Sequence, residues 1–239
     1  VAHLSVVTRT SSQQCAYKAL YGDGILKRRP TPTAGVRGTT ICVEDLFYNV
    51  TTRRKALRSS SEEYNLVLQI VLKYALQYPS IAFSCKKTTS GTADIQTQGR
   101  SSIADNLRIL FGNDVSKNAM KVEAVPEPGT SLHDVNFKAT GYCTGPNYHK
   151  RKGTYIFFIN KRLIESTVLK KGIEAVYHNY LPRHTHPFVY ISIEMSLQHV
   201  DVNVHPTKKE VRFLHEAAVI EILQRVIDEM LIGPSTART

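Results

Sequence analysis

One lysine, in a short loop between two strand-like runs, is the residue of this chain best suited to chemistry. Residues 200–213 read VDVNVHPTKKEVRF, and Lys208 lies in the second half. Over 200–204 valines alternate with polar residues, the period of a half-buried strand. Pro206 ends that run because it has no N–H to donate, and strand character resumes after the loop. A lysine positioned in this way can reach a fixed anion such as a nucleotide phosphate. The pattern also fits an ordinary turn with two solvated lysines.

Basic residues form several short runs that could contact phosphates. They are Lys150, Arg151 and Lys152 in one loop, Lys161 and Arg162 after an apolar strand, Lys170 and Lys171 at a helix start, and Arg53, Arg54 and Lys55 early in the chain. The first three runs fall within one β-loop-β-α segment. The sequence therefore predicts a phosphate-binding groove there, which would contact a nucleic-acid backbone without reading bases. Each run alone is also typical of a solvated surface.

The charge balance agrees with a phosphate-bearing partner. The chain has 239 residues and a net charge of +11. Residues 1–100 hold 14 basic and 6 acidic groups, and the remainder holds 17 and 14. Excess positive charge attracts nucleic-acid backbones, although it also fits a merely basic soluble surface. No apolar run approaches the roughly 18 residues that span a bilayer, so no membrane partner is expected.

The cysteines and histidines indicate neither disulfides nor a metal. The cysteines are widely separated in strand-like segments and form no C-x-x-C pair: Cys15, Cys42, Cys85 and Cys143. This spacing predicts reduced thiols in a cytosolic or nuclear protein. His178, His184 and His186 have no carboxylate or cysteine at a metal-like spacing, so no metal site is predicted.

Apolar periodicity predicts a mixed α/β chain with a boundary at 98/99. The predicted strands are 4–10, 16–21, 39–47, 81–87, 93–97, 135–144, 154–160 and 188–195. The predicted helices follow Ser60 and Ser102, cover 169–180 after a start at Ser166, and cover 216–231. Ser60 and Glu63 form a predicted capping box. The strand at 154–160 is nearly all apolar, which predicts a central position in its sheet. The predicted domains are 1–98 and 99–232, with a tail at 233–239.

Two long motifs carry a family resemblance. Residues 38–57 read GTTICVEDLFYNVTTRRKAL, and the Val-Asn-Val-His-Pro-x-Lys-x-Glu-Val-x-Phe pattern follows about 150 residues later, at 202–213. Together they closely resemble the N-terminal region of MutL-family mismatch-repair ATPases, and the resemblance covers essentially the whole chain. Residues 44–49, 61–64 and 158–163 look most like the eukaryotic members of that family.

The resemblance implies a fold, ligands and partners. It implies the C-terminal part of a GHKL-type ATPase lobe followed by a ribosomal-S5-domain-2-like transducer domain. Lys208 would contact the γ-phosphate of ATP, and Thr39 would lie near the adenine, where a purely structural strand threonine is the alternative. The intact parent would use ATP and Mg and would bind DNA as a clamp. Its protein partners would be a second MutL-type subunit and MutS-type mismatch-recognition proteins, and its location would be nuclear.

Some motifs of the family's nucleotide pocket do not occur in the chain. An Asp-x-Gly-x-Gly loop and a Gly-Phe-Arg-Gly-Glu-Ala segment are both missing. We therefore expect a fragment of a weak ATPase, with no catalytic residues of its own and no nucleotide bound to it alone. The alternative is a stand-alone S5-like module for nucleic-acid binding or protein interaction that is not part of an ATPase.

Overall fold

The chain folds as two compact units. The computed structural model describes residues 1–126, 136–201 and 212–233. The units are Val1–Asn65 and Leu66–Thr239. The predicted boundary at 98/99 therefore falls inside the second unit. The physical reason is the helix at 60–77, which crosses this division. Its last turns, in which Leu76 is fully buried, belong to the core of the second unit.

The first unit is built on an antiparallel sheet. Its elements are β1 (His3–Arg9), β2 (Ala16–Gly22), β3 (Ile25–Leu26), β4 (Thr31–Thr33), β5 (Gly38–Glu44), α1 (Thr51–Lys55) and the start of α2 (Ser60–Gln77). The strand order is β3-β2-β1-β5, and β4 also pairs with β2. The predicted strand at 39–47 ends early because Asp45 and Phe47 adopt positive φ angles of 54° and 63°.

The capping box of α2 lies one residue earlier than predicted. The Ser59 N–H donates to the Glu62 carboxylate at 3.2 Å, and the Glu62 N–H donates to the Ser59 hydroxyl at 3.4 Å. The predicted cap, Ser60, is the first residue of the helix instead. These bonds satisfy backbone groups that a helix start leaves open.

The second unit contains a five-stranded mixed sheet. Its elements are β6 (Ser84–Cys85), β7 (Ile95–Gln96), α3 (Ile103–Phe111), α4 (Asn113–Asn118), β8 (Ala119–Ala124), β9 (Phe137–Thr144), β10 (Thr154–Ile159), β11 (Arg162–Ile164), α5 (Thr167–Tyr177), β12 (Phe188–Met195), β13 (Val200–Asp201), β14 (Arg212–Phe213) and α6 (Glu216–Ile232). The strand order is β11-β10-β12-β9-β8. The predicted β-α-β unit is confirmed, since β10 and β12 are parallel and α5 connects them.

The position of β10 refines the prediction for the apolar strand. Its last four residues are buried and it is paired on both sides, as a near-continuous apolar run requires. The middle strand of the five is β12. Strand β10 is second from one end of the sheet, because only the short strand β11 lies beyond it. The predicted hairpin at 81–97 is reduced to the two-residue strands β6 and β7.

The sheet carries a separate apolar core on each face. Phe157, Ile159 and Ile191 pack with residues of α5 and α6 on one face. Ile156, Phe158 and Tyr190 pack with the end of α2 and with α3 on the other. Because side chains alternate along a strand, β10 and β12 contribute to both cores. The predicted caps Ser102 and Ser166 are confirmed at the starts of α3 and α5.

The short strands β13 and β14 pair in antiparallel fashion, with Val200 opposite Phe213 and Asp201 opposite Arg212. The predicted strand-loop-strand arrangement is thus confirmed at its two ends. Lys208 and its neighbours over 202–211 lie outside the described residues.

We expect Gly141 to tolerate no side chain. A Cβ atom at this position in β9 would lie 2.0 Å from the Tyr190 carbonyl oxygen and 2.9 Å from the Ile191 Cα. Gly141→Ala should therefore force β9 and β12 apart and lower the free energy of unfolding by about 1–3 kcal/mol, measured by urea titration. Gly91→Ala is the control, because its Cβ would meet no atom within 4 Å. Equal stability of the two variants would contradict the close approach of the strands.

The cysteines should differ sharply in reactivity. None of the four forms a disulfide, Cys42 is exposed, and Cys143 is buried. Burial raises the pKa of the Cys143 thiol to about 12, so it stays protonated at pH 8 and is a poor nucleophile. We expect iodoacetamide to modify Cys42 in the folded protein and Cys143 only after denaturation, as followed by peptide mass spectrometry. Modification of Cys143 at a rate similar to Cys42 would mean that the sheet opens readily.

Candidate nucleic-acid interface

A two-residue turn places Lys161 at the end of the sheet. Asn160 and Lys161 connect β10 to β11 and have φ angles of 46° and 67°. A tight hairpin turn of this kind needs positive φ at both central residues, and asparagine tolerates that conformation well. Lys161 is exposed and Arg162 is half-buried. Both side chains therefore start from a rigid strand end.

Hydrogen bonds from neighbouring elements fix this turn. The Asn160 N–H donates to the Ile193 carbonyl at 2.8 Å, and the Asn160 Oδ1 accepts from the Met195 N–H at 3.0 Å. The Tyr78 hydroxyl donates to the Lys161 carbonyl at 3.3 Å. The turn is thus joined to the end of β12 and to the residue after α2. We call this place, where β10 and β12 end, the Lys161 edge.

An open cavity of about 590 Å³ lies at the Lys161 edge. Its described lining includes Lys138 from β9, Lys161 from the turn and Glu194 from β12. Sequence reasoning missed Lys138 and Glu194. They are 56 positions apart in the chain and become neighbours only because they face each other in the register of β9 and β12. No local pattern would have indicated that pairing.

The second basic run lies at the other end of the same strands. Lys150 and His186 exchange backbone hydrogen bonds of 3.0 and 2.7 Å just before β10 and β12 begin. The Lys150 ammonium is 2.6 Å from the Asp114 carboxylate, which raises the pKa of Lys150 and neutralises its charge locally. Arg151 and Lys152 are exposed. We call this place the Lys150 edge.

Lys170 also belongs to the Lys150 edge. Its ammonium lies 5.1 Å from the centre of the Tyr155 ring and 3.8 Å from Glu174. The same carboxylate is 3.3 Å from the His186 Nδ1. Lys171, the next residue of α5, is exposed. Lys170 is thus already engaged with an aromatic ring and a carboxylate.

The structure therefore separates the basic runs that the sequence grouped together. A strand of six residues such as β10 extends about 20 Å, and the two edges lie at its opposite ends. The seven predicted DNA-binding residues therefore do not line one continuous groove. The physical reason is that residues preceding a strand and residues following it leave the sheet at opposite ends.

The three histidines surround a separate cavity. His178, His184 and His186 line a space of about 290 Å³ together with Tyr155 and Glu174. Burial, and then the Glu174 carboxylate, raises the pKa of the Tyr155 hydroxyl. Within the described part of the chain no three His, Cys, Asp or Glu side chains are grouped closely enough to hold a metal ion.

The remaining predicted site residues lie in the first unit or outside the described chain. Thr39 is exposed on β5, and its hydroxyl is 2.9 Å from the Thr8 hydroxyl. In α1 the Arg53 guanidinium lies 5.7 Å from the centre of the Phe47 ring. Lys208 has no described position. None of the helices in the described ranges is both long enough and apolar enough to cross a membrane.

Comparison with known protein sequences agrees with the resemblance. The family profile described as "DNA mismatch repair protein, C-terminal domain" matches residues 107–232, more than half of the chain. DNA mismatch repair protein Mlh1 of Dictyostelium discoideum is 36% identical, over 100% of this chain and 30% of its own length. DNA mismatch repair protein MLH1 of Saccharomyces cerevisiae is also 36% identical, over 100% and 31%. The chain thus spans under a third of either relative.

Solved structures share the fold. A crystal structure of the N-terminal domain of a DNA repair protein has a TM-score of 0.85 at 24% identity, over 100% of this chain and 74% of that one. The MutL ATPase domain of Aquifex aeolicus complexed with ADP has a TM-score of 0.60 at 21% identity, over 82% and 68%. The predicted α/β, GHKL-type fold is confirmed. The family profile and the Mlh1 relatives establish that this chain belongs to the MutL family of DNA mismatch repair proteins.

Proposed function

We propose that the protein acts in DNA mismatch repair as an ATP-dependent clamp subunit, and that this chain supplies its contact with the DNA backbone and its nucleotide-sensing lysine. The observation that carries the DNA contact is the Lys161 edge. There a rigid turn fixes Lys161 at the end of the sheet, beside Arg162 and within one cavity with Lys138.

The ion pairing of the lysines favours the Lys161 edge over the Lys150 edge as the main DNA contact. Among the described residues, neither Lys161 nor Arg162 has a carboxylate within 4 Å, whereas Lys150 and Lys170 are paired with Asp114 and Glu174. A lysine whose charge is already compensated gains less from a phosphate. Arg151, Lys152 and Lys171 would add weaker contacts. Such contacts depend on charge and leave base sequence unread.

Family membership and the ends of the Lys208 segment support the nucleotide role. The pairing of Val200 with Phe213 places the described residues on either side of this segment next to each other. The related Aquifex domain is described as complexed with ADP. In the proposal Lys208 contacts the γ-phosphate of ATP, Thr39 lies near the adenine, and Mg accompanies the nucleotide in the intact protein.

Membership of the MutL family supports a wider role for the intact protein. We propose that ATP binding joins it to a second MutL-type subunit around DNA, and that the pair relays mismatch recognition by MutS-type proteins to strand incision. A nuclear location is part of the proposal, and it fits four cysteines that form no disulfide. The alternative of a stand-alone S5-like module is less favoured, because the similarity to an N-terminal repair domain extends over 100% of the chain.

A pair of charge-reversal variants tests which edge binds DNA. With about four phosphates contacted, the logarithm of affinity for a short duplex should fall against log salt with a slope between about −3 and −4. Lys161→Glu with Arg162→Glu should weaken binding and flatten that slope, as measured by fluorescence anisotropy. Arg151→Glu with Lys152→Glu makes the same change of charge at the other edge and should weaken binding and flatten the slope less. A larger effect of the second pair would move the contact to the Lys150 edge.

Lys208 can be tested in the full-length protein. Lys208→Ala removes a charge-assisted contact that ATP offers and ADP does not. Contacts of that kind are worth roughly 1.5–3 kcal/mol, or about 10- to 150-fold in affinity. Affinity for a non-hydrolysable ATP analogue, measured by calorimetry, should fall by that factor while ADP affinity stays nearly unchanged. Lys209→Ala is the adjacent control of equal charge. Equal losses for both nucleotides, or a larger loss at Lys209, would exclude Lys208 as the sensor.

A further inference from the structure

The cavity at the Lys161 edge is built by three separate strand ends. Lys138 lies near the start of β9, Asn160 and Lys161 form the turn after β10, and Glu194 lies near the end of β12. β10 and β9 both pair with β12, so the sheet register fixes the spacing of these residues. The cavity is therefore a preformed feature of the sheet.

The cavity carries a net positive charge. Lys138 and Glu194 face each other in register, and alternation puts both on the sheet face that also carries Tyr190. No ion pair within 4 Å joins Glu194 to either lysine in the described parts of the chain. Two lysines against one carboxylate leave one positive charge for an occupant to neutralise.

The turn beside the cavity also contains a hydrogen-bond donor that has no acceptor in the described part of the chain. The Asn160 Oδ1 is occupied by the Met195 N–H, which fixes the orientation of the amide. The Asn160 Nδ2 is buried and has no hydrogen-bond acceptor among the described residues. This nitrogen is shielded from solvent, so an occupant of the cavity would be held by the two lysines and not by the amide.

We propose that this cavity is a subsite for a single phosphodiester group of the DNA backbone, bound by Lys138 and Lys161 together and opposed by Glu194. The inference rests on the proposed DNA contact. It adds that two lysines share one phosphate, that Lys138 is one of them, and that Glu194 weakens the site. A phosphate group also occurs in free phosphate and nucleotides. The open position at the sheet edge favours a continuous backbone, which can enter and leave on both sides.

The test is a set of single and double variants of the 239-residue chain, assayed on a labelled duplex of fixed length. Lys138→Ala and Lys161→Ala should each lower affinity about fivefold, typical of an exposed charge contact, and each should flatten the salt slope by about 0.9. Because both lysines bind one phosphate, the double variant should flatten the slope hardly further. Glu194→Gln should raise affinity severalfold. Unfolding midpoints would verify that each variant is folded.

Lys117→Ala is the matched control. Lys117 is exposed at the end of α4, just before β8, and β8 begins opposite Thr144 at the far end of β9 from Lys138. It should leave DNA affinity unchanged. Inorganic phosphate at millimolar concentration should compete only weakly with the duplex, because a free ion lacks the flanking contacts of a backbone.

Four outcomes would overturn the proposal. If Lys161→Ala weakens binding and Lys138→Ala does not, the DNA contact stands and the cavity is not its subsite. An additive slope in the double variant would mean two phosphates on two independent lysines. Tight binding of inorganic phosphate that depends on Lys138 would assign the cavity to a free anion. If neither lysine affects DNA binding, the proposed DNA contact fails as well.

Discussion

The parallel pairing of β10 with β12 is the constraint on which the second unit depends. Six consecutive residue pairs, from Thr154 with Phe188 to Ile159 with Ile193, align two strands that are buried almost throughout. Parallel strands need a crossover, and α5 provides it. Because both faces of these strands are apolar, the sheet requires a layer on each side. Helices α5 and α6 cover one face, and the end of α2 and α3 cover the other.

The same pairing determines which polar residues meet. Residues that precede β10 and β12 gather at the Lys150 edge, and residues that follow these strands gather at the Lys161 edge. At the first edge Lys150 and Lys170 are compensated by Asp114 and Glu174. At the second edge Lys138 and Lys161 share a cavity with a single carboxylate. A chain with a net charge of +11 thus has basic surfaces whose lysines are compensated by carboxylates to different degrees.

Much of the fold could be predicted from periodicity and caps. The strand at 154–160, the helix at 216–231 and the caps Ser102 and Ser166 were all found close to their predicted bounds. These features depend on neighbours within a few residues, which a sequence displays directly. Misplaced features depended on backbone geometry or distant packing. Positive φ angles shorten the strand at 39–47, and burial of Leu76 assigns the end of α2 to the second unit.

The sequence by itself determined the α/β class, the family and all of the basic side chains proposed to contact phosphate except Lys138. Long motifs and apolar periods are local properties, so they survive without coordinates. Only the tertiary structure decided that Lys150 and Lys161 lie at opposite ends of one strand, and that Lys138 and Glu194 join Lys161. The reason is that strand register links residues far apart in the chain, and ion pairing sets how much charge each of them retains.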